Sequence, residues 1–404
     1  MKLIVIFLVS IFNAHALPLL KGEVVQQKIN GEYLVRGEIS DKNKIEKTLG
    51  QNFYLVKADK LNSFKTIIAV YPNYRYLGNP MESEIMDPLF EKQFHHKMIG
   101  SEVAWKTTYG NDELIIAVTD NEFELQHEDL KDSWWKNINE IPDNGIDDDQ
   151  NGYIDDVYGW DFIDGDNNVV ARKEITHGTH ISGTIAAQKN NIGVIGVAPN
   201  LKVMPLRWFS SENSTGWTTA LIIETYNYAY EMGAKIISTS YGIDALVEDE
   251  AYRELVKDLT SKGILIVNSA GNAGKKDPPR GEIDELILVC SVKSKDADNQ
   301  DKKSSFSNYG KGIDICAPGD PVYATVHSTY SDATDRYGIS MGTSMSAPIV
   351  AASLGLIWSA FPELSADEVK NKLYENAKNI DDRNWFWVRG KLGHGRVDLK
   401  KVFK

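Results

Sequence analysis

The chain has few cysteines: Cys290 and Cys316 are the only two in 404 residues. They fit neither a CxxC redox pair nor a zinc-ligand pattern, which argues against a thiol-redox or cysteine-built metal centre. They lie in two apolar, strand-like segments, where either a disulfide or two buried thiols would be at home. Positive charge is also scarce. Lys and Arg number 44 against 57 Asp and Glu, for a net charge of −13. That balance argues against nucleic acid as a partner and against a basic membrane-surface patch. No apolar run reaches the roughly 18–20 residues a bilayer span needs, so no membrane anchor is expected. Internal repeats and low-complexity tails are absent as well.

The chemistry-bearing stretch is Gly342-Thr343-Ser344-Met345-Ser346-Ala347-Pro348, followed by the apolar Ile349-Val350-Ala351-Ala352. It reads as a serine presented by a glycine turn at the start of a buried helix, with Pro348 in a tolerated first-turn position. A helix N-terminus favours negative charge developing beside it, but a serine needs a base to be a nucleophile. Upstream, Leu114 to Thr119 reads as a buried parallel strand with Asp120 at its carboxyl end. Thr176-His177-Gly178-Thr179-His180 opens a helix packed through small residues. Ile264 to Val267 is another buried strand, running into Asn268-Ser269-Ala270-Gly271-Asn272. The chain order is therefore Asp, His, Asn, Ser, and Asp…His…Ser is the order of subtilisin, distinct from chymotrypsin and from α/β-hydrolases. His177 and His180 lack a third ligand or an HExxH glutamate, so zinc is not expected.

With these blocks the sequence resembles the subtilisin-like serine proteases, the subtilases, from about Asp87 to Val402. Ser240-Tyr241-Gly242, Phe306-Ser307-Asn308-Tyr309-Gly310, Ala317-Pro318-Gly319 and Gly393-His394-Gly395-Arg396-Val397-Asp398 agree in order. The resemblance implies an Asp120, His177, Ser344 triad, with Asn272 as the oxyanion-hole side chain. It implies a secreted serine endopeptidase acting on protein or peptide substrates through an acyl-enzyme, with no organic cofactor. Ser240, Tyr241 and Gly242 would form an edge for an extended substrate, with Gly271 and Asn272 as the facing wall. The implied fold is α/β: a three-layer parallel β-sheet with helices on both faces, preceded by a small α+β pro-domain.

Residues 1–16 carry Lys2, the apolar run Leu3 to Phe12, and Ala14-His15-Ala16 as an A-x-A site. That is a secretory signal pattern, so the protein is expected to be secreted or periplasmic. Residues 17–80 read as a smaller unit, with strands at Glu32–Arg36, Asn52–Val56 and Arg75–Leu77 and helices at Asp41–Leu49 and Leu61–Val70. By resemblance this is a pro-domain that assists folding and inhibits its own catalytic domain, residues 81–404, until cut between Pro72 and Pro88.

Two departures and one further pattern stand out. Asp120-Asn121-Glu122 replaces the family's Asp-Ser/Thr-Gly, and Glu122 could disturb pKa values nearby or point to solvent. It motivates an alternative, a catalytically weakened binding protein on the same fold. Between Lys275 and Glu285 the family's Tyr-Pro-Ala stretch gives way to Pro278-Pro279-Arg280-Gly281-Glu282, where Arg280 or Glu282 could select charge or face water. Finally, Asp147, Asp149, Asn151, Tyr153 and Asp155 sit at positions 1, 3, 5, 7 and 9 of a calcium-loop pattern with Gly152 at 6. Position 12 is Tyr158 rather than Glu. Structural Ca²⁺ is expected here, with Asp164 and Asp166 as a weaker second place.

Overall fold

The computed structural model describes residues 25–39, 47–50, 53–57, 64–77, 87–170, 176–209, 218–295, 298, 300–327 and 336–404. The signal pattern at 1–16 lies outside them. The chain forms two compact units, Met1–Glu84 and Ile85–Lys404.

In the first unit, β1 (Val25–Ile39), β2 (Lys47–Gly50), β3 (Phe53–Lys57) and β4 (Phe64–Leu77) form one antiparallel sheet in the order β2-β3-β1-β4. Val35, Tyr54 and Val56 are its buried centre, with Tyr33 and Phe64 against them. Of the helix expected over Leu61–Val70, the described part from Phe64 on is instead the start of β4, and residues 61–63 lie outside the described residues. Phe64, Ile67 and Ile68 can be read at helical spacing, but the β-branched and aromatic content of Thr66, Ile67, Ile68, Val70 and Tyr71 suits a pleated strand better. Pro72 is tolerated because β4 is an edge strand. Of the helix expected over Asp41–Leu49, the described part is strand β2, and the rest lies outside the described residues.

The second unit is built on seven parallel strands. In chain order these are β5 (Ile115–Asp120), β6 (Trp160–Asp161), β7 (Lys202–Arg207), β8 (Ile236–Thr239), β9 (Leu265–Ser269), β10 (Leu286–Lys293) and β11 (Ile315–Asp320), with spatial order β11-β10-β9-β8-β5-β7-β6. A hairpin of β12 (Val322–Thr325) and β13 (Tyr337–Ser340) stands apart from that sheet. The helices are α1 (Phe94–Ile99), α2 (Ser101–Ala104), α3 (His177–Ala186), α4 (Thr219–Glu231), α5 (Glu250–Ser261), α6 (Thr343–Ala360), α7 (Ala366–Glu375) and α8 (Leu399–Val402).

The strand interiors are largely apolar because both faces are covered. Ile116, Val118, Val203, Val267 and Val289 join Ile181 and Ile185 of α3 and the apolar length of α6 in one core. The intervening Ala117, Met204, Ile237 and Ile266 face Ile222 and Tyr226 of α4 and Leu255 and Leu259 of α5 in another. These are the three expected layers. The sheet order reverses at β5/β8, and an open α/β sheet offers its ligand crevice at the carboxyl ends of strands flanking such a point. Among the described residues, one helix is long and apolar enough to cross a membrane, Thr343–Ala360, and it is this core helix.

Cys290 and Cys316 face each other in register on β10 and β11, Cα atoms 4.4 Å apart, and form a buried disulfide. That resolves the choice the sequence left open. Loop-closure entropy over a separation of 26 residues predicts that a Cys290→Ala/Cys316→Ala variant loses about 3.5 kcal/mol of stability. Denaturant unfolding under oxidising and reducing conditions checks this; a loss below about 1 kcal/mol contradicts it.

The net negative charge is unevenly spread. Trp385, Phe386 and Trp387 are exposed and share a surface hollow with Lys293, Lys302, Lys303, Arg383 and Arg389. The whole-chain balance gave no sign of this basic, aromatic patch.

Candidate active site

Asp120 closes β5 and His177 begins α3. The imidazole Nδ1 lies 2.8 Å from Asp120 Oδ1 and 2.9 Å from Oδ2. An ionised carboxylate only accepts, so Nδ1 carries the ring proton and Nε2 is left with its lone pair. Burial opposes the charged imidazolium, but the Asp120 charge and hydrogen bond outweigh it and raise the His177 pKa above 6.5. Asn121 N donates to Asp120 Oδ1 at 2.8 Å, and Asn121 Oδ1 accepts from Gly178 N at 3.3 Å. Asn121 thus ties the strand end to the first turn of α3. Gly178 is required there, since a Cβ would stand 2.5 Å from Glu122 O.

Ser344 is the second residue of α6 and is 8% exposed. Its Oγ donates to Ser240 O at 3.5 Å. Pro348 falls in the second turn of α6 rather than the first, and it has no N–H for the Ser344 carbonyl four residues earlier. Ser240 Oγ donates to that carbonyl instead, at 3.2 Å. The segment after β8 is thereby held against the serine from both directions.

Asn272 stands on the other side. Its Oδ1 accepts from Thr343 N and Thr343 Oγ1, each at 2.9 Å, while Thr343 Oγ1 accepts from Gly271 N at 3.1 Å. With Oδ1 held in this way, the Nδ2 amide is turned outward. The Cβ that Gly342 lacks would lie 3.4 Å from Asn272 Nδ2 and 3.6 Å from Ser344 N. Both nitrogens therefore border the space beside Gly342, where two donors could serve a developing oxyanion.

Glu122 does not face solvent. It is 3% exposed, with Oε1 3.8 Å from Arg207 Nη2. Arg207 ends β7, in register with Asp120 on β5, and also pairs with Asp161 and, at 2.9 Å, with Asp164. Burial raises the Asp161 pKa even against the Arg207 charge. Burial opposes the His177 shift and Asp120 drives it, while Glu122, which replaces the family's glycine, is paired with an arginine on the neighbouring strand.

Ser240, Tyr241 and Gly242 follow the end of β8, as expected. Tyr241 is buried, with its Oη bonded to Tyr226 Oη at 2.7 Å and Tyr252 Oη at 2.8 Å, so its side chain is core rather than crevice. Gly271 has φ +99°, and its Cβ would stand 2.7 Å from Asn308 Nδ2.

The acidic loop only partly matches its sequence pattern. Asp147 and Asp149 gather with Glu140, their carboxylate oxygens within 4.8 Å of one another. Asn151 Oδ1 instead accepts from Tyr153 N at 2.8 Å, and Asp155 accepts from Asn144 N and Gly145 N at 3.1 and 2.9 Å. Asp155 is thus turned to the backbone of its own loop. Asp164 is spent on Arg207.

Sequence reasoning missed Thr343, Arg207 and Glu140. Glu140 was legible as a further carboxylate in the acidic block. Arg207 was legible only as a charge ending a buried strand, and its partner depends on strand order.

The subtilase family model matches residues 111–395. Thermitase of Thermoactinomyces vulgaris is 31% identical over 309 residues, covering 76% of this chain and 96% of that protein. The major intracellular serine protease of Bacillus subtilis is 32% identical over 299 residues, covering 70% and 82%. Among solved structures, a protease of Pseudoalteromonas arctica is 26% identical with a TM-score of 0.60, covering 78% of this chain and 98% of that one.

Proposed function

The chain belongs to the subtilase family of serine endopeptidases, and from that premise we propose that Ser344 is its nucleophile, His177 its general base and Asp120 the group that orients the base. The observation that carries this reading is the pair of Asp120–His177 bonds, made at the start of α3, which shares a core with α6, the helix whose second residue is Ser344.

His177 Nε2 takes the Ser344 proton as Oγ attacks the peptide carbonyl. Asp120 holds the ring and stabilises the imidazolium. The carbonyl oxygen, now negative, moves into the space between Asn272 Nδ2 and Ser344 N. Collapse breaks the C–N bond, His177 returns the proton to the leaving amine, and water then hydrolyses the acyl-enzyme. A sulfonyl fluoride should label Ser344 and abolish casein hydrolysis in step with labelling; full activity on a labelled Ser344 overturns the assignment. Because the base must be neutral, kcat/KM should fall in acid with a midpoint above 6.5. A midpoint below 6.5 contradicts the Asp120–His177 coupling. The non-catalytic alternative loses its motive, since Glu122 is paired with Arg207.

The separate sheet of the first unit supports residues 17–80 as a pro-domain that chaperones and inhibits residues 81–404. The signal pattern at 1–16 and the disulfide support an exported, oxidising location, secreted or periplasmic. Calcium fits the clustered carboxylates of Glu140, Asp147 and Asp149, which repel one another without a cation. Bound there, it would supply charge neutralisation and tie the loop together, with no part in the bond cleavage. EDTA should lower the Tm, and added Ca²⁺ should restore it; an unchanged Tm removes calcium from the account.

A further inference from the structure

We propose that Arg280 makes the crevice beside Ser344 selective for an acidic side chain, so that this endopeptidase prefers to cut after Glu or Asp. The proposal rests on the assignment of Ser344 as nucleophile. The residue whose carbonyl is attacked carries its side chain two bonds from the carbonyl carbon. Two of the segments that touch the Ser344 turn, 240–242 after β8 and 271–272 after β9, carry glycines, and the proposal places the entrance for that side chain between them.

Arg280 lies directly behind that entrance. It sits on the turn Pro279–Glu282, yet it is only 1% exposed, whereas Glu282 faces water. Nη1 shares its two hydrogens among Tyr241 O at 3.0 Å, just after β8, Ser269 O at 2.8 Å, at the end of β9, and Asn268 Oδ1. Nε is 3.3 Å from Asp244 Oδ1. Nη2 is buried with no hydrogen-bond partner. The Cβ atoms absent from Gly271 and Gly242 would stand 3.4 and 3.8 Å from Nη2. The spare donor therefore lies against both glycines, Gly242 after β8 and Gly271 after β9.

A buried, charged donor without an acceptor is rare and calls for an explanation. Holding the two segments together needs only Nη1. A substrate carboxylate supplies what Nη2 lacks, a charge-assisted and geometrically matched acceptor. It reaches Nη2 as the bound chain parts the two segments, and neither glycine has a side chain to be displaced. The carboxylate already present, Asp244, is 37% exposed and paired through Nε, so it leaves Nη2 unsatisfied.

The test uses the purified full chain and peptides that differ only at the residue before the cut: Glu, Asp, Gln, Leu, Phe and Arg. Casein digestion in parallel reports on the protease reading itself. Glu is expected to exceed Gln in kcat/KM by about 10- to 100-fold, the range for a hydrogen bond to a charged group. In Arg280→Met that ratio should fall towards one. Asp244→Asn, which removes the competing carboxylate at a partly exposed position, should raise it. Casein digestion with a wild-type Glu/Gln ratio near or below one overturns the proposal and leaves the protease reading intact. Absence of casein digestion overturns both.

Discussion

Ser344→Ala should hydrolyse denatured casein roughly 10⁶-fold more slowly than the wild-type protein, the size of loss in kcat that the equivalent replacement causes in subtilisin. The variant removes the oxygen that forms the acyl bond and leaves His177, Asp120 and Asn272 where they are. It removes one long hydrogen bond, to Ser240 O at 3.5 Å, so its stability should match the wild type within about 1 kcal/mol. What survives is the contribution of the oxyanion donors and of binding. Mass spectrometry of the same preparations adds a second readout. Wild-type protein is expected to begin between Pro72 and Pro88, and the variant to retain its pro-segment. A variant that keeps even a tenth of the casein activity removes Ser344 from the chemistry.

Arg207→Leu should cost about 3–5 kcal/mol of stability, the usual loss when a buried ion pair is broken from one side. Arg207 is 3% exposed at its side chain and faces Glu122 and Asp161, at 4% and 0%, with half-buried Asp164 at the rim. Without the cation, two buried carboxylates must either stay charged in an apolar surround or take up protons. The second course gives the variant its pH signature. Carboxylates whose folded-state pKa is raised bind more protons folded than unfolded, so their contribution is full below the unfolded value near 4. It is lost as pH rises through the folded value. Asp161 is already raised by burial, and loss of Arg207 raises it further. Urea unfolding should therefore find the variant weakened more at pH 8 than at pH 5. A loss below 1 kcal/mol at both pH values would mean that the cluster is hydrated. Adding Glu122→Leu to Arg207→Leu should recover part of the loss, because one stranded charge is gone.

The order Asp120, His177, Asn272, Ser344 and the alternation of buried strands with small-residue helices determined the family, the layered fold and the identity of the candidate residues. Those signals are local. A buried parallel strand is a continuous apolar run, a nucleophile turn needs Gly342, and a helix start shows in its first residues. Residues 61–70 misled because a short apolar run fits period 3.6 and period 2 alike, and only pairing of β4 with β1 decides between them. The loop at 147–155 matched a ligand pattern by position, yet where its oxygens point depends on which backbone N–H groups come close, and Asp155 turned to Asn144 and Gly145. Glu122 read as a threat to catalysis because its partner lies 85 positions away and becomes a neighbour only when β7 pairs with β5. Arg280 read as an open choice between solvent and pocket, and its burial followed from two carbonyls far apart in the chain, Tyr241 after β8 and Ser269 at the end of β9. Residue type and local period are written along the chain, whereas lateral strand order and side-chain direction arise from contacts between segments far apart in it, and those only the tertiary structure decided.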